Sequence, residues 1–245
     1  MTTAISLIVP YYRQPQMLRL QLANWHTFHP SVRERMRLII VDDGSPEPAL
    51  DIVQHFPGVS LYRILTDIPW NRGGARNLGS QVATTPWLLH VDTDHILPAD
   101  QADTLMDADV STSHWYRFQR WRFGAADDTR KKDACDPAAT FAEIKPHGDS
   151  YLCTRRLYWT VGGYDEDYSG CLGGGTPFLE QMEATAPVEV LPVRLHVYTR
   201  SVCPDASIST LSRDTSEYKL RRKMKRATGN TKARNPLRFK WEKLL

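Results

Sequence analysis

The sequence predicts an α/β protein with a mostly parallel central sheet and flanking helices, and three observations carry that expectation. Short apolar runs alternate with helix-like segments through the first hundred residues. The runs are apolar on both faces, as strands covered by helices on each side must be. Carboxylate-rich or aromatic turns follow three of them, and ligands of parallel sheets bind beyond the carboxyl ends of the strands.

Residues 5–10 (Ile-Ser-Leu-Ile-Val-Pro) form the first expected strand. In 14–28, Met17, Leu18, Leu20, Leu22 and Trp25 give a helical apolar pattern, and Pro15 suits a first helical turn. A second strand at 37–42 stops at Asp42-Asp43-Gly44-Ser45-Pro46, which is turn chemistry. A short helix near 49–55, a strand at 59–65, a glycine-bearing helix at 72–83 and a strand at 87–91 continue the alternation. Aromatic residues and arginines alternate in 114–123, a pattern that suits an exposed or edge strand. Residues 125–137 are polar and read as a loop. A strand-to-helix element is expected at 150–161, then a glycine-rich stretch to 175, and a last strand at 188–198.

A chain of 245 residues, 41% hydrophobic and 24% charged, suffices for one sizeable core. No apolar run approaches the roughly 18 residues a membrane span needs. Met1-Thr2-Thr3-Ala4 lacks the basic region of a signal peptide, so a cytoplasmic location is expected. Cys135, Cys153, Cys171 and Cys203 contain no C-x-x-C pair, which argues for reduced thiols rather than a zinc or redox site. The net charge of +3 conceals an asymmetry. Residues 219–245 hold eleven Lys or Arg and one acid, Glu242, for a net +10, so the rest of the chain carries −7.

The chemistry-bearing residues gather at the expected strand ends: Pro10-Tyr11-Tyr12-Arg13, Asp42-Asp43-Gly44-Ser45 and Asp92-Thr93-Asp94-His95. No glycine-rich dinucleotide turn follows the first strand, and there is no P-loop, H-E-x-x-H or G-x-S-x-G. An aromatic beside two carboxylate clusters suits a base, a ribose and a divalent cation. Two aspartates one residue apart at a strand end, Asp92 and Asp94, offer hard oxygen ligands for Mn²⁺ or Mg²⁺, which would act as a Lewis acid on a leaving diphosphate. Taken alone, such a pair is more often a solvated turn.

The order of the blocks gives the pair its weight. Ile5 to Arg13, then Leu38-Ile39-Ile40-Val41-Asp42-Asp43-Gly44-Ser45, Gly74-Ala75-Arg76-Asn77-Leu78-Gly79, and Leu89-His90-Val91-Asp92-Thr93-Asp94-His95 follow one another along the chain. With Gly162-Gly163-Tyr164-Asp165-Glu166 as a fifth block, the chain strongly resembles the family 2 glycosyltransferases over residues 5–200. The resemblance implies a GT-A fold over 1–212, with a nucleotide-sugar half (1–100) and an acceptor half (101–212). It also implies a nucleoside-diphosphate sugar donor, most often a UDP-sugar, a divalent metal, a hydroxyl acceptor and inverting chemistry. Pro10, Tyr11 and Asp42 would line the base site, with Asp43, Arg76 and Asn77 near base, ribose or diphosphate. Arg13 and Arg72 join the donor-binding set. Asp92 would face ribose and metal, Asp94 would ligate the metal, and His196 is the candidate third ligand, as a late histidine is in part of the family.

Two positions depart from the family pattern. His95 stands where many relatives carry a further Asp. Gly175 and Thr176 occupy the positions of the acidic pair that supplies the acceptor base, so Asp165, Glu166 and Glu180 become the candidates. The acceptor is open between a saccharide and a modified nucleic-acid base. A sugar nucleotidyltransferase would want a glycine-rich basic loop after strand one, which Tyr11-Tyr12-Arg13-Gln14 does not supply. A non-catalytic nucleotide-sugar- or polyanion-binding protein on a degenerate fold is the other reading, suggested by the lost acids. In the tail, 213–245, a basic helix is expected, with Leu220 and Met224 as an i, i+4 seam for docking. Its cations, extended by Phe239 and Trp241, could meet a nucleic acid or an anionic surface between Lys219 and Lys243.

Overall fold

The computed structural model describes residues 4–125, 141–206, 214–229 and 237–245, so the expected polar loop at 125–137 lies outside them but for Ala125. The first half runs β1 (Ile5–Tyr11), α1 (Pro15–His26), α2 (Pro30–Arg35), β2 (Met36–Asp42), α3 (Leu50–Val53), β3 (Val59–Ile64), α4 (Arg72–Val82) and β4 (Trp87–His90). It continues through β5 (His95–Ile96), α5 (Ala99–Met106), β6 (Trp115–Phe123), β7 (Phe141–Ile144) and β8 (Tyr151–Thr154). Then come α6 (Arg155–Thr160), a 3-10 turn (Glu166–Tyr168), α7 (Gly175–Thr185), β9 (Val188–Tyr198), α8 (Ser216–Ala227) and β10 (Trp241–Lys243).

One sheet collects the strands in the order β10-β3-β2-β1-β4-β8-β6-β9-β5, with β7 on β6. β1 to β4 are mutually parallel, as their two-sided apolar character predicts. Alternate residues feed two cores, one on each face. Ile5, Leu7 and Val9 of β1 and Leu38 and Ile40 of β2 pack with Leu18, Leu22 and Trp25 of α1. Ile8, Ile39 and Val41 pack with Ala75 and Leu78 of α4, together with Tyr158 and Phe178. The period of two within a strand thus fills both layers.

Three departures from the sequence reading have physical reasons. The stripe at 114–123 is an inner strand: β6 lies between β8 and β9, and Trp115, Tyr116 and Phe118 are buried. Its arginines misled because their guanidiniums reach past the sheet, Arg117 to Glu183 and Arg120 to the carbonyl of Lys145. The Leu220–Met224 seam of α8 is not the docking face, being 54% and 61% exposed; Tyr218 is the buried contact. The basic end of the chain does not trail away, since β10 pairs antiparallel with β3 and Trp241 packs edge-on against Tyr62. No described helix is long and apolar enough to cross a membrane. Among the described residues Cys153, Cys171 and Cys203 are free and buried, and Cys135 lies outside them.

Two glycines set the geometry of the parallel half. Gly44 has φ +70°, and a Cβ there would fall 2.6 Å from the carbonyl oxygen of Thr66. The turn that follows Asp43 therefore requires glycine. Gly79 lets α4 settle onto β1, because a Cβ would lie 2.4 Å from Cγ2 of Ile8. Gly79→Ala gains about 0.5–1 kcal/mol of helix propensity but overpacks the contact by about 1–3 kcal/mol. A net loss of stability is expected in urea unfolding, and a variant as stable as the parent would show that the helix–strand spacing is not limited here.

Candidate functional site

The carboxyl ends of β1, β2 and β4 open onto a cavity of about 560 Å³. Of the residues singled out in the sequence, Pro10, Tyr11, Asp43, Arg72, Asp92, Asp94 and Asp165 line it. Asp42, Arg13, Arg76, Asn77, Glu166, Glu180 and His196 are not among the lining residues. Several of those support the wall from behind. The buried Asp42 carboxylate accepts the backbone N–H of Ser45 (2.8 Å) and Ala49 (2.9 Å) and faces Arg63, which closes the turn after β2. Tyr11 donates to the carbonyl of Glu47, and the N–H of Arg13 donates to Ser45 Oγ. Asp43 is buried against Asn71, whose amide donates to it at 2.8 Å; burial pushes its pKa well above the usual carboxylate range.

At the floor stands a charge sandwich. Arg76, fully buried on α4, donates to Asp92 Oδ1 at 2.7 Å, to the carbonyl of Asp149 and to Tyr164 Oη. Arg72, one turn earlier and half-exposed, reaches Asp92 Oδ2 and Asp149 Oδ1 at 3.0 Å each. Burial opposes the charge of both aspartates, but the two guanidiniums outweigh it and hold them below their ordinary pKa values. Asp149 escaped the sequence reading. It precedes β8, and because β8 runs antiparallel to β4 with Tyr151 opposite His90, residues before β8 stand beyond the end of β4. The turn chemistry of Pro146-His147-Gly148-Asp149-Ser150 was the available signal, but strand direction is not readable from it.

Asp92, Asp94 and His95 bring three ligand atoms within 4.8 Å of one another. His196 is elsewhere: on β9 it sits opposite Ile96 with its ring tilted against Phe123, and it is His95, opposite Val197, that completes the three-residue cluster. The donor set fits a hard divalent cation with some tolerance for nitrogen, as Mn²⁺ has. His95 Nδ1 is occupied by Ser150 Oγ at 2.6 Å, which turns Nε2 toward Asp94 Oδ1 4.0 Å away, and burial lowers the imidazole pKa so that it stays neutral. Metal-binding histidines are commonly oriented by such an outer partner.

The three candidate acceptor bases are engaged by the end of the chain. Asp165 caps the 3-10 turn and pairs with Lys225 of α8, which also meets Asp167. Glu180 pairs with Arg222. Glu166 accepts Asn77 Nδ2 (2.8 Å) and the backbone N–H of Leu237 (2.6 Å) and Arg238 (2.9 Å). Asn77 in turn accepts the hydroxyl of Tyr158 and the N–H of Tyr164, so it ties α4 to the segment 158–164. Part of the basic charge read as an outward patch therefore faces inward onto acids. Glu166→Ala strands three N–H donors and is expected to lower stability by about 2–4 kcal/mol, read as a fall in the urea midpoint. An unchanged midpoint would free Glu166 from this anchoring role.

Comparison with known proteins agrees with this geometry. No curated protein matches the chain. Among solved structures, the crystal structure of GalNAc-T7 with UDP, GalNAc and Mn²⁺ superposes with a TM-score of 0.59 at 13% identity, covering 80% of this chain and 44% of that one. S. aureus TarS 1-349 superposes with a TM-score of 0.55 at 16% identity, covering 81% and 61%. The chain thus spans less than two thirds of either neighbour, and the likeness is one of fold: both are GT-A glycosyltransferases. The sequence profile of glycosyl transferase family 2 matches residues 6–161, which contain β1 to β8 and the whole of the charged floor, and the chain belongs to that family.

Proposed function

We propose that the protein is a metal-dependent glycosyltransferase that moves a sugar from a UDP-sugar to a hydroxyl acceptor. The observation that carries the reading is the Asp92–Asp94–His95 cluster, whose two aspartates line a cavity with Pro10, Tyr11 and Asp43 on its other wall and whose histidine is buried beside them. A nucleoside laid between β1 and β2 would meet the aromatic ring of Tyr12 and the buried Asp43, and its diphosphate would extend toward Arg72 and the cluster. Mn²⁺ suits Asp94 and His95, with Asp92 adding charge while it stays paired to Arg72 and Arg76. Bound there, the ion would supply Lewis-acid stabilisation of the negative charge on the departing diphosphate. The co-crystallised UDP and Mn²⁺ of the structural neighbour GalNAc-T7 support the same pairing of donor and ion.

The chain's own residues supply the rest of the donor chemistry. Arg72 is the accessible cation of the floor, since its side chain is 41% exposed whereas that of Arg76 is fully covered. It can turn from Asp149 toward a phosphate without leaving Arg76 unpaired. Asp94→Ala should reduce UDP affinity in the presence of Mn²⁺ to the metal-free value, with the circular dichroism spectrum unchanged. Calorimetry with UDP, with and without Mn²⁺, makes the comparison. Wild-type Mn²⁺-dependent affinity in the mutant would remove the metal from this cluster.

A further inference from the structure

Glycosyl transfer needs a group that removes the acceptor proton, and the positions where the family keeps an acid are Gly175 and Thr176. The space beside Gly175 is not empty of carboxylate. A Cβ built there would lie 3.5 Å from Asp149 Oδ1, so the loop before β8 brings an acid to this place from the opposite wall. The loop is pressed onto α7, where Gly148 leaves no room for a Cβ against Leu179, and Ser150 at its end holds His95. Asp149 itself is a poor proton acceptor, because Arg72 and Arg76 keep it ionised. Its second oxygen, however, lies 3.3 Å from Nδ1 of His147, a cavity-lining side chain that is 53% exposed.

We propose that His147, oriented by Asp149, is the base that deprotonates the acceptor hydroxyl. The assignment rests on the glycosyltransferase reading above and names the residue that this site uses in place of the missing acids. In the structure Nδ1 accepts the backbone N–H of Asp149 at 3.2 Å, and the Asp149 carboxylate stands 3.3 Å from the same nitrogen. In the working tautomer a charge-assisted bond to the carboxylate replaces that weaker contact, so Nδ1 keeps the proton and Nε2 carries the lone pair. In the transfer step the acceptor O–H proton passes to Nε2 and the acceptor oxygen forms a bond to the anomeric carbon. The bond from that carbon to the β-phosphate oxygen breaks, and its electron pair leaves with the nucleoside diphosphate. The imidazolium so formed faces the Asp149 carboxylate and afterwards gives its proton to water. Asp149 is here a positioning residue.

The surroundings suit a base that works near neutral pH. Burial lowers the His147 pKa, Asp149 and Asp92 oppose that, and Arg120 and Arg72 add to it. The imidazole is therefore unprotonated at pH 7 and is lost as an acceptor as pH falls through its pKa, which predicts an acidic limb in the rate.

The test compares the full chain with His147→Gln and Asp165→Asn in the hydrolysis of UDP-glucose, UDP-galactose and UDP-N-acetylglucosamine with Mn²⁺, water serving as acceptor. His147→Gln should lower kcat about 10²-fold or more, abolish the acidic limb and leave UDP affinity unchanged, whereas Asp165→Asn should keep the limb. A His147→Gln enzyme with wild-type kcat and limb, or a limb lost in Asp165→Asn instead, overturns the assignment. The dyad is also read without turnover, from the His147 ring signal in NMR titrations. Asp149→Asn should lower its midpoint, and an unmoved midpoint overturns the proposal. Absence of hydrolysis in the wild-type chain would count against the transferase reading, while the titration would still decide the His147–Asp149 pair.

Discussion

The rest of the site depends on one buried cation. Arg76 has no exposed side-chain surface, and a guanidinium in that position is tolerated only when anions surround it. Asp92 arrives from the end of β4 and Asp149 from the start of β8, so two elements far apart in sequence must meet on α4 before the charge is balanced. Tyr164, from the turn before the 3-10 segment, closes the fourth side with its hydroxyl. The close seat of α4 on β1, made available by Gly79, sets the depth at which Arg76 is held. The geometries of the first and second halves of the chain are therefore not independent. They share an ion cluster whose members come from both halves of the chain.

That sharing explains the division of labour between the two arginines. Both touch the same two aspartates, yet only Arg72 reaches the cavity. A phosphate drawing Arg72 away would leave Asp149 with Arg76 as its remaining guanidinium and raise the weight of its contact with His147. Binding of the donor and basicity of the imidazole would then move together through one carboxylate. The coupling needs no movement of the backbone, only a change of partner by one half-exposed side chain.

Much of the parallel half was legible in the sequence. The two-sided apolar runs of β1, β2 and β4 and the turn chemistry after Asp42 arise from local rules, and local rules survive folding. Tyr11, Asp43, Asp92 and Asp94 were found at the cavity because the carboxyl ends of parallel strands converge there. What stayed hidden was set by strand direction and by long-range charge pairing. Nothing in 145–150 says that the following strand runs against its neighbour, so Asp149 and His147 looked like ordinary turn residues. His95 lies opposite Val197 and His196 opposite Ile96 on the β5–β9 ladder, so the two histidines take opposite faces of the sheet, and sequence could not say which of them turned toward the aspartates. The basic run of α8 read as an outward cationic surface because its acidic partners, Asp165, Asp167 and Glu180, lie about 40 to 60 residues away.

The short β10 strand has a consequence at the margin of the sheet. An open edge exposes a row of unpaired N–H and C=O groups that a second chain can extend. β10 covers β3 and then offers only the three-residue stretch Trp241–Lys243, of which Glu242 and Lys243 carry charge. At the far side, β9 runs for eleven residues, but β5 covers its end and Pro192 removes one donor. Two residues on, the N–H of Arg194 is taken by the side chain of Gln101. Charge, proline and a side-chain amide thus blunt the β10 and β9 borders of the sheet against edge-to-edge pairing.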